Sequence, residues 1–276
     1  MLAVPEGHLY SHRMRIYYIN MTQRTDRRAF MERQFETLGL TAERIAGLTP
    51  ADLTAQQVET YCDPAHGGTL TTSALCCRLG HLEAAKALID AASEYALVLE
   101  DDAVLSSRLP QFLAQFETAD PGIDLLRLET HLEGVRFRPS SDEVGGVSIV
   151  EPASWEPGAA GYIISRRGAQ ALTADPQMRL RNDFTLFNPF GRLARRITLR
   201  QAVPALCIQS HHAESGVARS LGSDNRPPAT AGALTFWQRL ARRAWWMWNR
   251  DLVMGPRKLV AQLLGARKHV ISFARE

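Results

Sequence analysis

Tyr95 to Leu99 reads YALVL, five apolar residues in a row, and the next three positions are Glu100, Asp101 and Asp102. A strand that is apolar at every position has no polar face for water. It belongs in a sheet covered on both sides, as parallel sheets of α/β proteins are. In open sheets of that kind, ligands sit beyond the carboxyl ends of the strands. Three adjacent carboxylates there repel one another unless a cation or hydrogen-bond donors compensate. Such oxygen ligands suit Mg²⁺ or Mn²⁺, and the ion can neutralise a diphosphate. The plainer alternative is a surface turn with helix-capping acids.

The pattern around this strand agrees with its burial. Met14–Asn20 (MRIYYIN) is a second strand, rich in β-branched and aromatic residues. Thr25 or Asp26 caps a helix over residues 27–38 that Gly39 ends. Further strands are expected at 41–46, 123–128, 159–165 and 197–207, and helices at 52–62, 75–92, 109–116 and 167–174. Residues 133–156 read as a hairpin or loop. Strands alternating with helices predict an α/β fold with a mostly parallel central sheet flanked by helices. The 276 residues suffice for one such domain and an appendage. Residues 1–13 are expected to be a flexible lead-in without a secretory h-region. The catalytic domain is expected over 14–213. Residues 214–233, rich in Gly, Ser and Pro, read as a linker or lid. No run reaches the roughly 18 apolar residues that a spanning helix needs.

Several other segments carry chemistry. Asn20 to Arg28 (NMTQRTDRR) leaves the first strand and enters a helix, where Arg24, Arg27, Arg28 and backbone N–H groups suit a phosphate or nucleotide. An ordinary capped helix start fits as well. Neither GxGxxG nor GxxxxGK[ST] is present, which weakens dinucleotide and P-loop readings. His81 sits in the helix CCRLGHLEAAKAL; alone it reads as a packing residue or a catalyst. Pro157 to Tyr162 (PGAAGY), including Gly161, is small enough for backbone to approach a ligand. Asp183, in RNDFTLFNP, is either a general base or a helix cap.

Taken in order, RTDRR, CCRLGH, YALVLEDD, GAAGYIISRRGAQAL, NDFTLFNP and VPALCIQ resemble glycosyltransferase family 25, the lipooligosaccharide core galactosyltransferase-like family. The resemblance spans about Met14 to Gln209. It implies a GT-A-like fold and transfer of a sugar, galactose first, from a UDP-sugar to a lipooligosaccharide or LPS core acceptor, inverting and metal-assisted. By the same resemblance Glu100-Asp101-Asp102 replaces the family's DxD-type motif. Asp102 and Asp101 would hold Mn²⁺ or Mg²⁺. Asn20, Arg24, Arg28, His81, Glu100, Asp101 and Gly161 would line the donor nucleotide, and Asp183 would be the base, with Asp101 beside the chemistry. Two departures stand out. Ser73-Ala74 replaces the family's Gly-Glu pair, and Gly80 replaces its Ser before the histidine. They bear on sugar choice and leave a non-catalytic carbohydrate- or nucleotide-binding relative as the rival, with a metal-dependent nucleotide hydrolase behind it.

Charge and cysteines narrow the setting. The formal charge of +3 conceals a basic tail: residues 234–276 hold nine Lys/Arg against Asp251 and Glu276. Basicity confined to one segment argues against a nucleic-acid binder and for a local anionic contact. That tail also holds Trp237, Trp245, Trp246 and Trp248. Trp237, Leu240, Ala241, Ala244 and Trp248 share one helical face, with Arg239, Arg242, Arg243 and Arg250 opposite. A helical, amphipathic tail lying on an anionic membrane surface is the expectation, at the inner face of the cytoplasmic membrane; packing on the catalytic domain is the alternative. Cys62, Cys76, Cys77 and Cys207 show no zinc spacing and read as free thiols of a reducing compartment. His211 and His212 follow the last strand, either as a further metal ligand or as an exposed pair.

Overall fold

The computed structural model describes residues 14–63, 65, 68–138, 142–213, 240, 254–263 and 265–275. The lead-in, the linker or lid, and all of the Trp-rich stretch except Leu240 lie outside them.

Strand β1 (Arg15–Met21) is followed by helix α1 (Thr25–Leu38), β2 (Glu43–Gly47), α2 (Ala55–Cys62), α3 (Thr72–Asp90) and β3 (Tyr95–Glu100). β1 lies between β2 and β3 and is parallel to both. Gly39 ends α1 in the left-handed region at φ 64°, which a residue without Cβ adopts at least cost. After β4 (Ala103–Leu105) and α4 (Leu109–Ala119) come β5 (Leu125–Arg127), β6 (Glu129–Thr130), β7 (Gly134–Arg138), β8 (Glu143–Val144) and β9 (Val147–Pro152). The chain continues through β10 (Gly161–Ser165), α5 (Arg166–Ala174), α6 (Asn182–Phe187), β11 (Leu199–Val203) and β12 (Cys207–Gln209). Helix α7 (Met254–Leu263) and strand β13 (Arg267–Val270) close it.

The large sheet runs β13-β7-β9-β11-β5-β10-β3-β1-β2, with β8 on β9. It is mixed rather than mostly parallel. β10 inserts antiparallel between β3 and β5, and β9 joins β11 antiparallel. The apolar strands are nonetheless buried on both faces. Ile16, Tyr18, Leu97, Leu99 and Ile163 share one core with Met31 and Phe35 of α1 and Phe112 and Phe116 of α4. Tyr17, Val98, Tyr162 and Ile164 share the other with Leu88 of α3 and Leu172 of α5. The alternation of neighbours between the two cores is the period-2 geometry of a strand. YALVL is apolar throughout because both of its faces are roofed by helices.

The C-terminal tail departs from the expected all-helical appendage. β13 pairs antiparallel with β7, and Ala205 bridges Phe273. Ile271, Ala266 and Ala274 are buried. Residues 266–275 are therefore part of the catalytic fold. Exposed Arg267 and Lys268 on this edge strand hinder edge-to-edge pairing with another chain.

Candidate active site

Three strand ends converge beyond β3, β5 and β12. β12 pairs with both β4 and β6 in a small sheet. That sheet carries three chain segments side by side: the acidic turn 100–102 before β4, residues 129–131 through β6, and residues 209–213 after β12. The backbone N–H of Ser210 donates to Asp102 O at 2.8 Å, tying the first segment to the third.

The three acids have three different environments. Asp101 is buried and accepts from Asn20 Nδ2 at 2.8 Å and from Arg27 Nη1 at 2.6 Å, one partner per oxygen. Burial raises its carboxyl above the usual range despite Arg27. Glu100 is held by His81: Nε2 lies 3.0 Å from Oε1, and Nδ1 lies 2.9 Å from the Tyr162 hydroxyl. Burial pushes Glu100 up, but the hydrogen bond and charge of His81, with Cys77 and Arg27, leave it below its ordinary value. Asp102 has Arg27 Nη1 at 3.6 Å from Oδ2, while Oδ1 is buried without any partner. Burial, then the charges of Glu100, Asp101 and Glu129 against that of Arg27, push its carboxyl up to about 7.

The other expected residues lie around this turn or on α1, with different surroundings. Asn20 is buried, its amide spanning Asp101 and Arg24 O. Arg24, the residue before α1 and half-buried, pairs with Asp26, and Arg28 pairs with Glu32 on the exposed side of the helix. Arg27, the arginine of RTDRR that reaches the acids, turns inward instead. His81 is fully buried with both ring nitrogens engaged, so it supports Glu100 from behind rather than meeting a nucleotide directly. At Gly161 a side chain would run into Cys207 and Leu99, so sheet packing requires the glycine there, without a ligand. Gly80 has the same explanation, since a Cβ would stand 2.9 Å from Ile19 Cγ2. Cys77, His81 and Glu100 place ligand atoms within 4.8 Å of one another. The ring nitrogens are already committed, however, and burial drives the Cys77 thiol far above its ordinary pKa, which disfavours a metal there.

Asp183 sits in the first turn of α6 and is buried. Its carboxylate accepts from Phe184 N at 2.9 Å, from Gly158 N at 3.3 Å and from Arg181 at 3.2 Å. Helix α6 is braced by Arg78, a fully buried arginine of α3 that donates to Asn182 Oδ1 at 2.8 Å.

Glu129 and His131 escaped the reading of the sequence. Glu129 is fully buried and accepts from Ala160 N at 2.8 Å and from His131 Nε2 at 2.9 Å, with Arg127 at 3.6 Å. His131 Nδ1 in turn lies 3.2 Å from His212 Nε2. Gly158 packs against both side chains; a Cβ there would collide with His131 and come within 2.6 Å of Glu129 Oε1. The glycine of PGAAGY that closes the site is thus Gly158. A sign was present in the sequence: RLETH puts an acid and a histidine after an apolar strand, as YALVLEDD puts three acids.

The sequence profile of glycosyltransferase family 25 (LPS biosynthesis protein) matches residues 14–185, more than half of the chain. The chain belongs to glycosyltransferase family 25. Among its relatives, zebrafish (Danio rerio) Procollagen galactosyltransferase 1 is 30% identical over 60% of this chain. The match covers only 29% of that longer protein. The Haemophilus influenzae Lipooligosaccharide biosynthesis protein lic2B is 24% identical over 70% of this chain and 75% of its own length. Among solved structures, a glycosyltransferase involved in glycosylation of the major capsid of PBCV-1 matches at TM-score 0.42 and 9% identity. It covers 75% of this chain and 98% of that one.

Proposed function

We propose that this family 25 chain transfers a hexose, galactose foremost, from a UDP-sugar to a hydroxyl of a lipooligosaccharide or LPS core-type glycan, with inversion and with help from a divalent ion. The observation that carries the reading is Asp102 Oδ1, a buried carboxylate oxygen with no partner at the carboxyl end of β3. Leaving such an atom unsatisfied is costly, and a hard cation such as Mn²⁺ or Mg²⁺ satisfies it. Asp102 would hold the ion, whose charge offsets that developing on the leaving diphosphate. Asp101, locked by Asn20 and Arg27, keeps the turn in place. Arg24, paired with Asp26 at the start of α1, would meet the donor's phosphates, and Arg28, one turn further along the helix, would lie beyond it.

Asp183 is the base in this reading. Two backbone N–H groups fix its carboxylate, and a fixed carboxylate takes the acceptor proton with little reorganisation. Attack opposite the leaving group with a single base gives inversion. Galactose and lipooligosaccharide come from the names of the relatives. The tail supports an anionic membrane contact. α7 exposes Leu259, Val260 and Leu263, and basic β13 follows it. Among the described residues, no helix is long and apolar enough to cross a membrane.

The test is donor turnover with a panel of UDP- and GDP-sugars, with and without Mn²⁺, on wild type and Asp102→Ala. Metal-dependent use of UDP-galactose that disappears in the variant is expected. Unchanged transfer by Asp102→Ala would overturn the metal assignment, and no turnover of any donor would favour the non-catalytic relative.

A further inference from the structure

Arg78 is a fully buried arginine in the middle of α3. Its guanidinium forks between two partners on another part of the chain. Nη1 donates to Asn182 Oδ1 at 2.8 Å, and Nη2 donates to the carbonyl of Pro176. Neither partner is charged, and among the described residues no carboxylate pairs with it. Nε, like the amide nitrogen of Asn182, is buried without a partner. Burial lowers the Arg78 pKa to about 10, so the group is still a cation at neutral pH. A buried charge of this kind is costly, and apolar side chains of similar volume usually serve a core as well or better. Stability alone therefore does not account for Arg78.

What it holds does. Pro176 follows α5 and Asn182 opens α6. One planar fork thus closes both ends of the connection between these helices. α6 has 6 residues, too few for its own helicity to fix it. Its place is set from outside, and Asp183 is the residue next to Asn182. Three positions after Arg78, His81 holds Glu100. Residues three apart share a helix face. One face of α3 therefore supports the acidic turn through His81 and the Asp183 helix through Arg78.

We propose that Arg78 is a positioning residue for the acceptor half of the reaction: by clamping Pro176 and Asn182 it sets where the Asp183 carboxylate meets the attacking hydroxyl. The inference rests on the reading of Asp183 as the base. A misplacement of about 1 Å at a reacting group can cost about 10²-fold in rate. Lysine is no substitute, because an ammonium group lacks the rigid fork that engages two acceptors at once.

The test is a double-mutant cycle on kcat in the full chain. UDP release is followed from the UDP-sugar that wild type uses best, with water and with deacylated lipooligosaccharide core as acceptors. Arg78→Met should lower kcat by about 10²-fold, with the donor KM and UDP affinity by calorimetry unchanged. Arg78→Lys should recover only part of that loss. Asn182→Leu, which removes one of the two anchors, should lower kcat in the same way and serves as the second variant if Arg78→Met does not fold by circular dichroism. The decisive comparison is Arg78→Met in the Asp183→Asn background, where it should cost nothing further, because the base it positions is gone. Losses that multiply in the double variant, or an Arg78→Met loss confined to donor KM, overturn the inference and leave the base reading intact. Wild-type kcat in Asp183→Asn overturns the base reading, and the inference with it.

Discussion

The acidic turn at 100–102 and the segment at 129–131 occupy equivalent places, each just past the end of a central strand, yet they are built in opposite ways. In the turn, Glu100 and Asp101 are committed to protein partners, His81 for one and Asn20 with Arg27 for the other. Only Asp102 retains an unsatisfied oxygen. In the second segment the acid is the support: Glu129 is buried behind His131, whose other nitrogen faces His212. The visible motif is thus mostly scaffold, and in the less conspicuous one the acid serves to hold a histidine. Charge density alone does not identify a ligand, because most oxygens of a buried acidic cluster are taken up by protein partners that offset the cost of burial.

That contrast can be broken at several points. The largest effect is expected at Asp183, whose carboxylate is as firmly held as that of Asp101 but reads as a base. Asp183→Asn should lower kcat by about 10²–10⁴ while UDP binding by calorimetry is retained. A loss confined to UDP binding would move Asp183 to the scaffold. Next is Arg27, the cation behind the turn. Arg27→Met strands the buried Asp101 carboxylate and should cost about 3–5 kcal/mol in urea unfolding. Asp101→Asn in that background should recover part of the loss. A merely additive double variant would show that the pair does not hold the turn.

Asp102 sharpens the comparison through pH. Its carboxyl is raised from 3.8 to about 7 in the fold, so the folded state binds the proton more tightly than the unfolded chain does. The resulting stability is present below about pH 4 and is lost as pH rises toward 7. With chelator present, the Tm of wild type should fall across that window relative to Asp102→Asn, and the gap should close on acidification. Parallel Tm curves would mean that Asp102 is not buried as an unsatisfied acid. The smallest effect is expected at Arg28, exposed and paired with Glu32 one turn on. Arg28→Ala should leave Tm unchanged, as exposed pairs of this kind contribute little. A measurable drop would mean that α1 depends on its outer face as well as its inner one.

Much of this protein was legible in the sequence, because it is written in local patterns. Period-2 and period-3.6 spacing located β1, α1, α3, β3, α4, β10 and α5 to within a few residues, and Gly39 ended α1 as expected. The run YALVL dictated a strand roofed on both faces, and EDD dictated a charged strand end. Pairing partners are different, since they join residues far apart in the chain. Nothing local specified that β10 would enter antiparallel between β3 and β5, or that residues 266–275 would return to pair with β7. The same limit applied to the site. RTDRR offered three arginines of equal standing, and only the inward face of α1 selected Arg27. RLETH and IQSHH lie some eighty residues apart, and only the small sheet of β4, β12 and β6 brings His131 and His212 together. The sequence by itself determined which residue types gather at the strand ends. The tertiary structure decided which of them are used up by one another and which keep a lone pair for a ligand, because burial and hydrogen-bond partners belong to the folded chain alone.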